Sequence, residues 1–273
     1  MLNVPAYLER IRYVGPLPPT LETLRSLHRA HMLAVPFENL DIGIGREIVC
    51  EEGRFLHKIV NARRGGFCYE LNGAFAALLR ALGFQVTLLS ARVSREDGSD
   101  GPDFDHLALC VDVNEPGPDE PGPESRLGTW LADVGFGDSF VEPLRLASGL
   151  EQEQRDRAYR LTAQGNGFCI EAKTLDTKAP AANHKEGWKR QYAFTLQPRQ
   201  LAEFAPRCGY HQTSPESHFT QNRICSLATP EGRITLSNGK LIQTRNGVQE
   251  ERELHGEGEW LSILRDQFGI VLP

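Results

Sequence analysis

Through the first third of the chain, apolar residues return every three or four positions, the period of a helix with one buried face. After Pro18-Pro19, the segment LETLRSLHRAHML sets Leu21, Leu24, Leu27 and Leu33 near one side, with Thr20 placed to cap its first turn. EEGRFLHKIVNARR carries Phe55, Ile59 and Val60 at helical spacing. ELNGAFAALLRALGF spaces Leu71, Phe75, Leu78 and Leu82 likewise, and Gly83 suits a helix C-terminus. Between the first two helices, VPFENLDIG reads as a loop.

Beyond Gly83 the period falls to two. FQVTLLSARVS and HLALCVDV alternate as strands around the turn-rich REDGSDGPD, and TWLADVGFG, RAYRLTAQ, FCIEAK and KRQYAFTLQP continue in the same manner. The stretch NEPGPDEPGPES repeats EPGP among acidic residues, so residues 114–125 predict an exposed, mobile loop without regular structure. Near the end, RITLSNGKLIQTRNG signals a hairpin turning at Asn238-Gly239. GEWLSILRDQFGI then puts Trp260, Ile263, Leu264 and Phe268 on one helical face. The order is helical, then β, then mixed, with no internal repeat.

Composition adds exclusions. The chain is 40% hydrophobic and 24% charged, an ordinary globular balance, and no apolar run is long enough to span a bilayer. The start, MLNVPAYLERIRYVG, lacks the basic-then-apolar pattern of a signal peptide, which predicts a cytoplasmic protein with unpaired cysteines. The six cysteines form no C-x-x-C pair, so no metal site is expected. A net charge of −6 argues against nucleic acid as a partner. Oligomeric state is left open.

Candidate chemistry gathers at NARRGGFCYELNG, residues 61–73. Gly65 and Gly66 allow a sharp turn, and Cys68 falls in the first turn of the Leu71–Leu82 helix. Free N–H groups and the helix dipole there favour a thiolate. The plain alternative is an inert packed thiol, since free cysteine is among the most buried residue types. Among eight histidines, His106 opens an alternating strand and Asp133 lies in the next. Paired as a hairpin with Val113 opposite Arg126, these strands set His106 opposite Asp133, within reach of an imidazole–carboxylate hydrogen bond. Cysteine, histidine and aspartate together suggest nucleophilic acyl transfer. The glycines of Val134-Gly135-Phe136-Gly137 would let backbone approach a ligand, with Phe136 as an apolar wall.

These motifs carry a resemblance. VPFENL (35–40), RRGGFCYELN (63–72), the strand from His106, LADVGFG (131–137) and HFTQN (218–222) are together similar to the arylamine N-acetyltransferases over essentially the whole chain. The resemblance implies an α+β fold related to papain and transglutaminase-like enzymes. A helical bundle (1–83) would carry the nucleophile, a β-barrel (84–195) the histidine and aspartate, and an α/β lid (196–273) would follow. It implies a catalytic triad of Cys68, His106 and Asp133, with acetyl-CoA as co-substrate and an arylamine, arylhydrazine or N-hydroxyarylamine as acceptor. Phe37, Val93 and Phe136 would line the acceptor pocket, and Gly135 and Gly137 would contact the cofactor. Glu38 and Arg64 would form a structural ion pair, and Asn72 would support the triad.

Two departures stand out. The Pro-rich stretch lengthens the His-to-Asp separation, and Asp138 stands where relatives often have glycine or a basic residue. A carboxylate there would repel passing coenzyme A phosphates. An amide synthase of the same family and a transglutaminase-like hydrolase are the competing readings.

Overall fold

The computed structural model describes residues 2–115, 126–175 and 187–273. The Pro-rich stretch beyond Glu115, expected to be a mobile loop, lies outside them. Helices α1 (Val4–Arg10), α2 (Leu21–Ala34), α3 (Leu40–Gly43), α4 (Glu52–Leu56) and α5 (Cys68–Ala81) occupy the first third. Thr20 caps α2 by accepting the Thr23 N–H at 3.3 Å, and α4 runs into a π-helical turn, His57–Asn61. Periodicity predicted a one-faced helix around Leu71–Leu82. Instead every residue of α5 from Cys68 to Leu79 is buried. The small residues Gly73, Ala74, Ala76 and Ala77 let neighbours close on its second side; a Cβ on Gly73 would lie 2.7 Å from the Phe55 ring.

Eight antiparallel strands follow: β2 (Gln85–Val93), β3 (His106–Glu115), β4 (Arg126–Ala132), β5 (Leu144–Arg145), β6 (Gln152–Gln154), β7 (Arg157–Gln164), β8 (Gly167–Thr174) and β9 (Lys189–Thr195). They form one sheet in the order β5-β4-β3-β2-β9-β8-β7-β6. Its two ends meet where Gln152 exchanges hydrogen bonds with the Arg145 backbone, at 2.7 and 3.1 Å, so the sheet is a nearly closed barrel. Helix α5 packs against β2 and β3, joining the helical and barrel cores at the start of β3.

A second sheet holds β10 (Ile224–Thr229), β11 (Gly232–Ser237), β12 (Lys240–Arg245) and β13 (Val248–Glu253), with α8 (Glu257–Phe268) packed on it. The β11–β12 turn falls at Asn238-Gly239, as the sequence signals, with Asn238 in the left-handed region at φ 47°. VPFENLDIG is more than a loop. Phe37–Glu38 forms strand β1, which pairs with β10, and Leu40–Gly43 forms α3. A piece of the helical third therefore completes the C-terminal sheet. Helices α6 (Ala205–Thr213) and α7 (His218–Gln221) connect the two sheets.

Candidate active site

Cys68 begins α5, with Phe67 as the N-cap residue. The glycines before it serve close approach rather than unusual backbone angles, since neither has a positive φ; Arg63 does, at 50°. A Cβ on Gly65 would sit 1.9 Å from the Pro36 carbonyl oxygen, and one on Gly66 would meet the Glu70 carboxylate at 2.7 Å. The turn is thus pressed between Pro36, just before Phe37, and the first turn of its own helix. Burial pushes the Cys68 thiol well above the ordinary range, while hydrogen bonds from the Leu107 and Tyr69 backbones draw it down.

His106 opens β3, and Asp133 lies one residue past the end of β4. The His106 Nε2 to Asp133 Oδ2 distance is 2.7 Å, and both residues are buried. The strand register differs from the sequence expectation by two. β3 runs on through Asn114 and Glu115, so Val113 pairs with Gly128 and Leu109 with Ala132. An even slip keeps every side chain on its face, and the imidazole reaches Asp133 diagonally.

The Asp133 carboxylate accepts four hydrogen bonds. Oδ2 takes His106 and the Tyr192 hydroxyl, at 2.8 Å, and Oδ1 takes Asn72 Nδ2 at 2.8 Å and the Gly135 N–H at 2.9 Å. Burial raises the Asp133 pKa, but His106 and these donors outweigh it and hold the carboxyl below its ordinary value. Asn72 also donates to the Leu107 carbonyl at 2.6 Å and accepts the Val134 N–H at 2.9 Å, tying α5 to both strands. Gly135 fits because a Cβ there would lie 2.8 Å from the Cys68 Cα. Its missing side chain makes room for the helix start.

Cys68 and His106 open into a cavity of about 680 Å³. Phe37, Val93, Phe136, Gly135 and Gly137 line it, so the expected pocket residues do converge. Phe136 packs edge-on to the His106 ring, with centroids 5.2 Å apart. From the far side, Phe219 of the HFTQN segment faces Phe37 at 6.1 Å. The opposite rim comes from the second sheet through Ile242 and Thr244 of β12. Among the described residues no group of three or more His, Cys, Asp or Glu could hold a metal ion, and no helix is long and apolar enough to cross a membrane.

An N-acetyltransferase family model matches residues 20–273. The arylamine N-acetyltransferase of Escherichia coli is 32% identical over 267 residues, covering 97% of this chain and 87% of that protein. That of Mycolicibacterium smegmatis is 35% identical over 276 residues, covering 99% and 93%. The chain belongs to the arylamine N-acetyltransferase family. The solved Salmonella typhimurium arylamine N-acetyltransferase superposes with a TM-score of 0.86 at 32% identity, covering 98% of this chain and 90% of that one. The Mycobacterium marinum enzyme in complex with CoA gives 0.85 at 31% identity, covering 98% and 93%.

This member of the arylamine N-acetyltransferases also contains the expected Glu38–Arg64 pair, with Arg64 Nη2 2.8 Å from Glu38 Oε1, inside a larger cluster. Arg64 reaches Asp41 at 3.2 Å, and Lys58 reaches Asp41 at 2.9 Å and Glu70 at 2.9 Å. Glu70 also accepts the Phe67 N–H at 3.1 Å, so the cluster clamps the backbone just before Cys68. From below, Arg10 of α1 donates to the carbonyls of Ala34, Ile59 and Arg64.

Asp138 corrects an expectation. It is not a bare negative charge at the cavity rim, because Arg157 Nη2 lies 2.7 Å from Oδ2 and Arg233 Nε lies 3.0 Å from Oδ1. Two guanidiniums on one carboxylate leave the trio net positive.

Two contributors in this arylamine N-acetyltransferase fold escaped the sequence reading. Tyr192 reaches Asp133 only because β9 pairs with β2, setting Tyr192 opposite Val93. His28, on α2, accepts the Asp133 N–H at 3.1 Å, which makes Nδ1 the protonated nitrogen that donates to the Val141 carbonyl at 2.9 Å. Burial lowers the His28 pKa to about 4. Neither has a motif; both depend on long-range pairing.

Proposed function

We propose that Cys68, His106 and Asp133 carry acetyl transfer from acetyl-CoA to the nitrogen of an arylamine, arylhydrazine or N-hydroxyarylamine, in two half-reactions through an acetyl-Cys68 thioester. The observation that carries this reading is the 2.7 Å His106–Asp133 bond at the floor of the cavity into which Cys68 opens. Asp133 occupies Nε2, which orients the ring and leaves Nδ1 to exchange a proton with the sulfur. Burial favours the protonated thiol, so ionisation requires a compensating cation, and His106 is the group placed to become one.

In the first half-reaction the Cys68 sulfur bonds to the acetyl carbon, the bond from that carbon to the coenzyme A sulfur breaks, and the departing thiolate takes the proton from His106. In the second, the acceptor nitrogen bonds to the acetyl carbon, the Cys68 thiolate leaves, and the nitrogen's proton passes to His106. The aromatic walls, Phe37, Phe136 and Phe219, suit an aryl ring and limit water at the thioester. The same family membership supports the coenzyme as donor, since the Mycobacterium marinum relative was solved in complex with CoA.

Intact-protein mass measurement tests the proposal. Wild type incubated with acetyl-CoA should gain one acetyl group and lose it when a simple arylamine or arylhydrazine is added, while Cys68→Ala should gain none. An unmodified wild-type thiol would sink the reading. An acetyl-enzyme that no arylamine or arylhydrazine discharges would point to the amide-synthase chemistry instead.

A further inference from the structure

A second cavity, of about 190 Å³, lies beside the first, among the β6–β7 turn, β7, β11 and β12. Asp138, Arg233, Thr244 and Gln249 line both and form a common rim. Its volume is below the roughly 300–1,000 Å³ of a pocket for a whole small molecule. It fits one charged end of a ligand whose remainder lies elsewhere.

The lining is rich in guanidinium: Arg155, Arg157 and Arg233 stand against two carboxylates, Asp138 and Asp156. Arg157 is committed to Asp138 through Nη1 and Nη2, whereas Arg233 spends Nε on Asp138 and Nη1 on Ser226. Arg155 donates one hydrogen bond, from Nη1 to the Gly232 carbonyl at 3.2 Å. Burial, followed by the neighbouring Arg29 charge, holds the Arg155 pKa below the ordinary guanidinium value. A second observation is independent of charge. Ser139, on the same wall, is only 7% exposed, and its Oγ has no hydrogen-bond partner among the described residues. Leaving a buried polar group unpaired is unfavourable, and an oxyanion would satisfy it.

Neither the sulfur chemistry nor an aryl acceptor needs such a place. The donor does, because coenzyme A carries a diphosphate and a 3′-phosphate at the end of a long arm remote from its sulfur. Resting on the donor assignment above, we infer that the cavity of Arg155, Arg157, Arg233 and Ser139 binds a phosphate group of coenzyme A. Asp138 is then a positioning residue that holds Arg157 and Arg233 at the rim, not a barrier to the donor.

Titration calorimetry of coenzyme A against wild type, Arg155→Gln and Arg157→Gln is the test. Pantetheine, which lacks every phosphate, and 3′-dephospho-coenzyme A serve as companion ligands. Each variant should lose about tenfold in coenzyme A affinity, as expected for one charge-assisted contact, and none in pantetheine affinity. Loss confined to coenzyme A assigns the 3′-phosphate to the cavity; equal loss with the dephospho form assigns the diphosphate. Arg157→Lys, which keeps the charge, should recover most of the affinity. Arg155→Gln breaks a single bond to a carbonyl and carries the test if melting shows that Arg157→Gln does not fold. Variants that bind coenzyme A within twofold of wild type, or that lose coenzyme A and pantetheine alike, overturn the inference. If Cys68 is still acetylated by acetyl-CoA in that event, the phosphate site fails while the proposed function stands; if wild-type Cys68 is never acetylated, the functional reading fails first.

Discussion

Two buried polar networks flank the start of α5, and they are built on opposite principles. On the cavity side, Asp133 is surrounded by neutral or polarisable partners: an imidazole, a phenol, an amide and a backbone N–H. On the closed side, Glu38, Asp41 and Glu70 are met by the full charges of Arg64 and Lys58. A carboxylate neutralised outright by guanidinium has little left to offer an imidazole that must gain and lose a proton. A carboxylate held by hydrogen bonds stays ionised and keeps its pull on that ring. The ion cluster, by contrast, clamps the backbone before the nucleophile and exchanges nothing with substrate. One network is set for chemistry, the other for geometry.

The contrast can be broken from either side. The largest effect is expected for Asp133→Asn, which keeps the shape of the first network but removes its charge. We expect acetyl transfer to fall by about 10³–10⁴-fold, by analogy with other triads, with a melting temperature close to wild type. Near-normal turnover would show that Asp133 is not part of the proton relay.

Arg64→Ala should do the reverse. It takes the guanidinium from Glu38, which is 0% exposed and keeps Lys58 at 3.7 Å and the Leu40 N–H at 2.8 Å, and removing one partner of a buried pair costs up to about 3–5 kcal/mol. Chemical denaturation should show that loss, while the folded fraction retains acetyl transfer; unaltered stability would mean that the cluster is not the clamp described here. A smaller effect reports on the cavity side in acid. His28 has a folded pKa of about 4 against an ordinary 6.5, so its neutral form contributes stability that is complete above pH 6.5. That contribution is lost as pH falls toward 4, to about 3 kcal/mol at about 1.4 kcal/mol per pH unit. Melting temperature should therefore decline between pH 6.5 and 4 in wild type and decline less in His28→Gln. Parallel curves would place the acid sensitivity elsewhere.

Much of the first network was legible beforehand because its residues sit in motifs whose local structure follows from their neighbours. RGGFCYELN turns and enters a helix because of its glycines and helix formers, and the even period of HLALCVDV and TWLADV sets which face His106 shares with Asp133. The observed register lies two residues from the predicted one, and His106 still reaches Asp133 since side-chain parity survives an even slip. The glycines stand in the turn, as the sequence predicts, but for a different cause. Gly65 and Gly66 are required by the Pro36 carbonyl and the Glu70 carboxylate, which only the folded chain brings near. The charge balance at Asp138 is hidden from the sequence for the same reason, because its partners Arg157 and Arg233 lie 19 and 95 residues away along the chain.

By itself, then, the sequence determined the order of helical and β regions, the helix that presents Cys68, and the identity of the three residues proposed to react. Period, capping and turn chemistry act over a few residues, and those features need no more. The tertiary structure decided what surrounds them: Tyr192 and His28 on the Asp133 loop, Lys58 and Asp41 beside the Glu38–Arg64 pair, β1 completing a distant sheet, and the arginines around Asp138. Each depends on strand pairing or helix packing between segments far apart in the chain. Their charge balance and hydrogen-bond partners exist only once those segments meet.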